Sequence, residues 1–225
     1  VDDFKGLVTF KTQYTKNTYG TGRCLTFTTE DGERSFSPYF GANHDLSIAD
    51  MDADLLGSCD MVLLEGYPLQ GDIGPETMKK TARLLHELGV KTVFNPSDAG
   101  LIQKHRDTVE FILEHTDILI CNMDEVKALT GMQNPNQAAA HLSGRFETGA
   151  LTMSGDGCLA FDKGMLIHVP AIAKPEDIVD TNGAGDQFVA GFLYGYGTGQ
   201  SLEESAILGH QMAANVLGSF GPRPQ

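Results

Sequence analysis

The sequence predicts an α/β fold in which a mainly parallel, Rossmann-like sheet is flanked by helices, next to a second, small β-sheet. From residue 61 onward, short apolar runs alternate with segments of helical periodicity, which is typical of parallel strands joined by covering helices. Before them, residues 22–28 and 34–40 alternate in strand fashion around the turn-forming residues 30–32. Parallel sheets of this kind bind ligands at the carboxyl ends of their strands, where we therefore expect the site.

The elements of the larger sheet follow one another in a regular order. Proline and polar residues cluster at 134–136 and 174–177, where we predict surface turns. The last helix is predicted from Leu202 to Leu217. The other predicted elements are strand 61–64, helix 75–88, strand 91–94, a helix near 109–114, strand 117–121, a helix from residue 125 and strand 159–161.

Residues 180–186 place a carboxylate just beyond a turn of small residues, at the start of an apolar helix. Ile178 and Val179 before them are typical of the end of a buried strand. The free backbone N–H groups of residues 183–186 would converge on one point, where the helix dipole favours an anion. Asp186 is badly placed as an anion ligand and well placed as a base. The pattern indicates phosphoryl transfer to an alcohol, and the structural alternative is that Asp186 only caps the helix.

The run from Val179 to Gly191 resembles the C-terminal signature of the ribokinase family, also named the PfkB family, of carbohydrate and nucleoside kinases. The resemblance implies a ribokinase-like fold and ATP as the phosphate donor. It makes Asp186 the catalytic base and assigns the anion hole to Gly183, Ala184 and Gly185. No Walker-type phosphate loop, G-x-x-x-x-G-K-[ST], occurs in the chain.

A second match follows the strand at 117–121. Asn122 and Glu125 resemble the family's N-x-x-E motif, which implies that they organise a Mg²⁺ ion and its waters beside the nucleotide phosphates. The structural alternative is an Asn cap followed by acidic residues in the first turn of a helix. A monovalent cation stays open as an addition to ATP and Mg²⁺.

The same resemblance assigns contacts to the nucleotide. Residues 150–158 resemble the strand and glycine loop that lie along the ATP in this family. Without the resemblance, residues 155–157 are a hairpin turn and a histidine on the last helix is a structural residue. The candidate contacts are Thr152, Ser154, Gly155, Gly157 and His210.

The N-terminal strands resemble the small β-sheet lid of the family, which excludes water from phosphoryl transfer. We assign residues 20–45 to the lid strands and their return segment, leave residues 1–19 unassigned, and assign residues 46–225 to the ATP-binding and catalytic domain. The resemblance also implies that a homodimer can form through the lid. The run Glu65-Gly66-Tyr67 at a strand end favours the adenosine-kinase-like branch.

Composition favours a cytoplasmic enzyme. The formal charge of −14 argues against partners that are nucleic acids or anionic membranes. Cys24, Cys59, Cys121 and Cys158 are dispersed, which argues against a zinc cluster or a disulfide framework and predicts reduced, buried thiols. No apolar run reaches the length of a membrane span, and no signal peptide is recognisable.

The predicted function is an ATP- and Mg²⁺-dependent kinase that phosphorylates a hydroxymethyl group of a sugar or nucleoside. A non-catalytic ribokinase-like protein that binds a nucleotide or sugar is the alternative. A dinucleotide-dependent oxidoreductase is disfavoured because no G-x-G-x-x-G opens the first βαβ unit. Members of the family carry a longer N-terminal portion with a Gly-Gly-Asn substrate motif. We therefore expect that these 225 residues are segments of a longer polypeptide placed end to end, with other segments left out.

Overall fold

The computed structural model of the chain describes residue 8, residues 19–29 and residues 34–223. Within them, two strands form an antiparallel pair and six strands form a sheet in their sequence order. The strands are β1 (Arg23–Thr28), β2 (Arg34–Tyr39), β3 (Met61–Glu65), β4 (Lys91–Asn95), β5 (Ile118–Asn122), β6 (Thr148–Thr152), β7 (Cys158–Asp162) and β8 (Met165–Val169).

Pairing in the larger sheet changes direction once. Strands β3 to β6 are parallel, and β7 and β8 continue as antiparallel hairpins from β6. Short 3-10 helices lie at Gly41–Asp45, Tyr67–Gln70 and Ser154–Asp156, among others. The α-helices are α1 (Ala53–Gly57), α2 (Gly74–Leu88), α3 (Ala99–Lys104), α4 (Arg106–Leu113), α5 (Met123–Thr130), α6 (Pro135–Ser143), α7 (Ala184–Gly197) and α8 (Leu202–Leu217).

The sheet lies between two helical layers, and strand periodicity decides which residue faces which layer. In β5, Leu119 and Cys121 join the core under α2 to α6, whereas Ile118 and Ile120 join the core under α7 and α8. All four side chains are at most 2% exposed, so β5 is buried on both faces. Such continuous apolar strands are typical of parallel sheets covered by helices.

Helices α7 and α8 pack closely enough to act as one wall over the sheet. A Cβ at Gly191 would lie 2.7 Å from the Leu208 carbonyl oxygen, and one at Gly195 would lie 2.8 Å from the Ser205 Cα. These two glycines of α7 therefore allow the close packing. Phe188 and Phe192 of α7 fill the space between this wall and the sheet.

The predicted α/β architecture and the antiparallel strand pair are confirmed. The expected hairpin turn at residues 30–32 lies outside the described residues. The division of the chain at residues 45 and 46 stays a prediction. Cys121 and Cys158 are buried as expected, but Cys24 is exposed and Cys59 is only partly buried, because these two lie on the small sheet and just after the short helix α1.

Two local predictions were wrong. Ile178 and Val179 form no strand and are 38% and 40% exposed. The amides of Val179 and Asp180 donate instead to the Leu217 carbonyl, so this segment crosses the end of α8 and joins no sheet. Residues 134–136 are also no plain turn. Asn134 caps α6 by accepting from the Gln137 amide at 3.1 Å, and the proline that follows occupies the first helical position, where no amide donor is needed.

Candidate active site

A cleft of about 740 Å³ gathers most of the residues predicted to bind the nucleotide. It lies beside the carboxyl ends of β5 and β6, between the first turn of α7 and one face of α8. The predicted residues that line it are Asn122, Thr152, Ser154, Gly155, Gly157, Ala184, Gly185 and His210. The residues Gly183, Asp186 and Glu125 do not line this cleft.

Gly183 is the residue that turns the chain into α7. Its φ of 77° is left-handed, and a Cβ there would lie 2.7 Å from the Pro222 carbonyl oxygen. Its own carbonyl accepts from the Gln187 amide at 2.9 Å, which closes the first turn of the helix. The Ala184 amide donates to the Thr181 carbonyl at 3.4 Å. In general the amides of a helix's first turn have no intrahelical acceptor and lie at the positive end of the helix dipole.

Asp180 holds this turn in place, a role that sequence analysis did not assign. It is 3% exposed, and its carboxylate accepts from the Asn182 amide and from the Gly221 amide, both at 2.9 Å. The carboxylate therefore ties the loop before α7 to the C-terminal segment. An Asp followed by Thr-Asn-Gly was the available sequence signal, since short side-chain carboxylates commonly accept from backbone amides two residues later.

Gly185 differs from Gly183. It lies in the helical first turn with no positive φ, and an added Cβ would meet nothing within 4 Å. The surface above it is therefore open space at the edge of the cleft, which it lines. No backbone requirement of the fold explains a glycine here, whereas a ligand lying on the helix end would need that space.

Asp186 is exposed in the first turn of α7. Burial and the charge of Asp186 both raise the pKa of the Glu65 carboxyl at the end of β3. The same two causes, with burial the larger, raise the pKa of the Tyr67 hydroxyl, and Glu65, Asp98 and Glu125 add to them. The surroundings of Asp186 are therefore strongly acidic. The 3-10 helix Tyr67–Gln70, which follows β3, contacts the 3-10 helix Gly41–Asp45, which follows β2.

Asn122 and Glu125 form a complete capping box at the start of α5. The Asn122 side-chain oxygen accepts from the Glu125 amide, and the Glu125 carboxylate accepts from both the amide and the side-chain nitrogen of Asn122, all at 2.9 Å. The cap expected as the structural alternative is therefore real. It does not exclude a second role, because Asn122 is exposed and lines the cleft.

Glu125 is the buried member of this pair, with 4% exposure. Burial raises the pKa of its carboxyl to about 7, against the lowering effect of the hydrogen bond from the Asn122 amide. The charges of Asp98 and Asp124 raise the pKa further. A cation placed beside this pair would compensate the buried charge.

The donor set fits Mg²⁺ only in part. Within the described ranges, no group of three or more His, Cys, Asp or Glu side chains is arranged to hold a metal ion. Both Glu125 oxygens already accept hydrogen bonds, so this carboxylate can reach a cation through water. Mg²⁺ retains several waters and commonly shares its remaining sites with substrate phosphates, and this chemistry agrees with an Asn–Glu pair beside a phosphate cleft.

The pKa of Glu125 predicts a pH-dependent stability. The pKa lies above its ordinary value of 4.5, so the folded protein binds more protons than the unfolded chain between that pH and about 7. The stabilisation is fully present below that range and is lost as the pH rises through it. At about 1.4 kcal/mol per pH unit, this interval corresponds to on the order of 3 kcal/mol. In urea unfolding without nucleotide or metal, the unfolding free energy of wild type should fall from pH 5 to pH 8 by more than that of Glu125→Gln. An equal change in the two proteins would contradict the prediction.

The glycine loop forms another wall of the cleft. The strand β6 ends at Thr152, the 3-10 turn Ser154–Asp156 follows, and Gly157 starts the return into β7. A Cβ at Gly155 would meet nothing within 4 Å, whereas one at Gly157 would lie 2.1 Å from the Val169 carbonyl oxygen. Gly157 is therefore needed for packing against β8, and Gly155 leaves the cleft open.

The face of α8 that lines the cleft was only partly recognised from sequence. His210 was predicted, but Ala213, Ala214 and Leu217 line the same cleft, as does Phe188 of α7. The spacing of these α8 residues, one to two turns apart, was a signal of a shared helix face. The spacing alone does not show whether such a face packs on the core or borders a cleft.

Among the residues that the structure describes, no helix combines the length and hydropathy that a membrane crossing requires.

Known proteins are similar to this chain in structure or in sequence. The crystal structure of adenosine kinase from Sinorhizobium meliloti superposes with a TM-score of 0.91 at 33% identity, over 99% of this chain and 69% of that one. A cytidine kinase from Thermococcus kodakarensis is 36% identical over 154 residues, which are 66% of this chain and 55% of the relative. A 2-dehydro-3-deoxygluconokinase from Escherichia coli K12 is 32% identical over 75% of this chain and 58% of its own length.

The chain thus spans about half the length of the cytidine kinase it matches. The structural likeness to the adenosine kinase shows the ribokinase-like fold, a mostly parallel six-stranded sheet with helices on its faces and a small antiparallel pair. The family model described as pfkB family carbohydrate kinase matches residues 7–225. The chain therefore belongs to the pfkB family of carbohydrate kinases.

Proposed function

We propose that this chain is the nucleotide-binding and catalytic part of an ATP- and Mg²⁺-dependent kinase that phosphorylates a hydroxymethyl group of a sugar or nucleoside. The carrying observation is the cleft of about 740 Å³, which brings the open helix end at Ala184 and Gly185 together with the glycine loop and Asn122. A helix N-terminus and a glycine-lined wall around one space are suited to a polyphosphate. Membership of the pfkB family supports the same activity.

In this proposal Asp186 accepts a proton and the backbone amides stabilise charge. The acceptor hydroxyl loses its proton to the Asp186 carboxylate as its oxygen attacks the γ-phosphorus. The bond from that oxygen to phosphorus forms while the bond from phosphorus to the β,γ-bridging oxygen breaks, and ADP leaves. The amides of Gly183, Ala184, Gly185 and Asp186 stabilise the charge on the transferred phosphoryl group.

Asn122 and Glu125 are the residues proposed to hold the waters of a magnesium ion. The bound ion would neutralise charge on the nucleotide phosphates. For this role Glu125 must be ionised, and the cation itself would favour that form by opposing the burial that raises the pKa of the carboxyl. Thr152, Ser154, Gly155, Gly157 and His210 are proposed to contact the nucleotide.

Glu125→Gln is expected to raise the magnesium concentration for half-maximal activity about 10-fold or more, because it removes the charge that orders the metal's waters. The Michaelis constant for the acceptor should stay near its wild-type value. A steady-state titration with magnesium at fixed ATP measures both. Asp107→Asn, which removes an exposed charge from the first turn of α4, is the matched control. An unchanged magnesium titration in Glu125→Gln would leave Asn122 and Glu125 as a helix cap only.

The acceptor side is proposed to lie where Asp186 faces Glu65 and Tyr67, under residues 20–45 acting as a lid. The adenosine-kinase-like branch is favoured by the Glu65-Gly66-Tyr67 run and supported by the 33% identity to the Sinorhizobium adenosine kinase. Residues 46–225 carry the ATP-binding and catalytic functions in this proposal. A homodimer through the lid, a monovalent cation and a cytoplasmic location remain further predictions.

An ADP-release assay on the intact protein tests the function. A panel of adenosine, cytidine, inosine, ribose, fructose and 2-dehydro-3-deoxygluconate should contain an acceptor that raises ADP release well above the rate without acceptor. The matching 5′-deoxynucleoside should give no product, because it lacks the hydroxymethyl oxygen. ATP binding without acceptor-dependent ADP release across the panel would favour the non-catalytic ribokinase-like alternative.

A further inference from the structure

Ser97 has a backbone conformation that serine rarely adopts. Its φ is 67°, and the other non-glycine residues with positive φ in the described part of the chain are Ser154, at 52°, and Lys163, at 48°. Lys163 and Gly164 form the two-residue loop of the β7–β8 hairpin, where positive φ angles are usual. Ser154 lies in the glycine loop that lines the cleft. Neither explanation applies to Ser97, which follows the end of β4.

Ser97 is the central residue of a γ-turn. The Asp98 amide donates to the Pro96 carbonyl at 2.8 Å, which closes the turn around Ser97. A γ-turn with positive φ at its central residue is rarer and more strained than the inverse form. The Ser97 amide donates to the Asn95 side-chain oxygen at 2.8 Å and so supports the turn. Such strain persists only where surrounding contacts enforce it, and it is concentrated at functional sites.

The strained turn lies against the end of β3. The Gly66 amide donates to the Ser97 hydroxyl at 3.1 Å and to the Asn95 carbonyl at 2.9 Å. The Ser97 hydroxyl donates to the same Asn95 carbonyl at 3.2 Å. A Cβ at Gly66 would collide with the Pro96 carbonyl oxygen, so the two segments are in contact backbone to backbone. The turn therefore holds Gly66, which is buried, in one position.

Gly66 lies between two residues of the proposed acceptor side. Glu65, the last residue of β3, precedes it, and Tyr67, the first residue of the following 3-10 helix, comes after it. The Leu69 amide donates to the Gly66 carbonyl at 3.0 Å, which begins that helix. Burial and, after it, the charge of Asp186 raise the pKa of both Glu65 and Tyr67. A displacement of Gly66 would therefore move both side chains relative to Asp186.

We propose that Ser97 is a positioning residue for the phosphoryl acceptor and that it acts through the Gly66 amide. By holding this amide, the strained turn sets the side chains of Glu65 and Tyr67 in the place that the acceptor requires. The inference rests on the proposed function, because it places the acceptor beside Asp186. Ser97 itself contacts neither the acceptor nor the nucleotide in this inference.

The structural alternative is that the turn only directs the chain into α3. Asp98 caps this helix by accepting from the Leu101 amide at 2.8 Å. A cap explains a sharp change of direction, but it requires no hydroxyl on the residue before it. The two explanations therefore differ in what loss of the Ser97 hydroxyl changes, which is stability alone or also the use of the acceptor.

Two substitutions of Ser97 in the intact protein separate the hydroxyl from the strain. Ser97→Ala removes the hydroxyl and keeps the strain, whereas Ser97→Gly removes both, because glycine adopts a positive φ freely. The melting temperature of the glycine variant should exceed that of the alanine variant by about 2 °C or more. In both variants, kcat/KM for the acceptor found in the ADP-release panel should fall about 10-fold or more, because the acceptor is misplaced. The KM for ATP should stay within about 2-fold of wild type.

Lys163→Gly is the matched control, since it relieves a left-handed backbone at an exposed residue that is not part of the proposed site. This variant should keep the wild-type kinetic constants. Equal loss of acceptor efficiency in the two Ser97 variants, despite their different melting temperatures, would support the inference. Wild-type kinetics in both would overturn it, as would a loss that follows stability and affects ATP and the acceptor alike.

If the alanine variant does not fold, the glycine variant decides alone. A lower kcat/KM for the acceptor with an unchanged KM for ATP would support the positioning role, and wild-type constants would contradict it. Absence of acceptor-dependent turnover in wild type would instead contradict the proposed function, and the inference with it. Normal wild-type turnover together with unaffected Ser97 variants would overturn the inference and leave the proposed function standing.

Discussion

Asp186→Asn is expected to lower kcat by about 10²-fold or more while ATP affinity and folding stay close to wild type. The physical reason is that asparagine keeps the size of the side chain but cannot take the proton of the attacking hydroxyl. Loss of a negative charge at a helix N-terminus should cost about 0.3–1 kcal/mol in unfolding free energy, too little to unfold the protein. Steady-state turnover with saturating ATP and the acceptor found in the panel gives kcat. Pre-steady-state measurement of phosphoryl transfer gives the rate constant of the chemical step.

A matched control separates the two roles that Asp186 can have. Glu203 is an exposed acidic residue in the first turn of α8, so Glu203→Gln removes the same charge from a helix start that is not part of the proposed site. We expect this variant to show the small stability change and normal turnover. Near-normal turnover in Asp186→Asn as well would remove Asp186 from the mechanism and leave it as an acidic residue in the first turn of α7, whose N-cap is Gly183.

Gly185→Ala is expected to lower kcat by about 10²-fold without lowering the unfolding free energy. The added methyl group would enter the open space above the helix end, where the phosphoryl oxygens are proposed to approach the amides. Alanine in a helical first turn is better than glycine by as much as about 1 kcal/mol, so the variant should be as stable as wild type or more so. Thermal unfolding and kcat of the same preparation test both halves of the prediction.

Gly183→Ala is the contrasting variant. Its left-handed φ of 77° and the 2.7 Å approach to the Pro222 carbonyl oxygen mean that a side chain there strains the fold. We expect it to lose stability by about 1 kcal/mol or more. A stable Gly185→Ala enzyme that turns over normally would contradict the anion hole, because the two glycines would then differ only in backbone requirement.

The Asn122–Glu125 pair shows what a sequence motif can and cannot decide. Its spacing predicted either a magnesium-organising pair or a helix cap, and the structure contains the cap with all three hydrogen bonds at 2.9 Å. The two functions use different properties of the same residues. Capping depends on local geometry, which is encoded within four residues, whereas metal binding depends on the distant walls of a cleft that only the fold brings together.

The wrong strand at Ile178 and Val179 has a tertiary cause. Two β-branched residues before a glycine turn favour a strand locally, but the amides of Val179 and Asp180 bond to the carbonyl of Leu217 at the end of α8. Local propensity could not reveal this tertiary contact. The role of Asp180 was missed for the same reason, since one of its partners, Gly221, lies 41 residues away.

Sequence analysis did not identify most of the apolar half of the cleft, because its residues recur at the regular spacing of a helix. Ala213, Ala214 and Leu217 recur at helical spacing, which is the pattern of a core-facing stripe. By contrast, the glycines and the Asn–Glu pair of the polar half follow strand ends, where a phosphate site is expected. Sequence analysis therefore named more of the residues in the polar half of the cleft than in its apolar half.

The central claim is that the first turn of α7 receives the phosphate that is transferred. A crystal structure of the intact protein with a non-hydrolysable ATP analogue and magnesium tests it most directly. We expect the terminal phosphate within about 3 Å of the amide nitrogens of residues 183 to 186, with the Asp186 carboxylate on its acceptor side and the base beside His210. An analogue bound with its terminal phosphate away from this helix end would contradict the account, whatever its affinity.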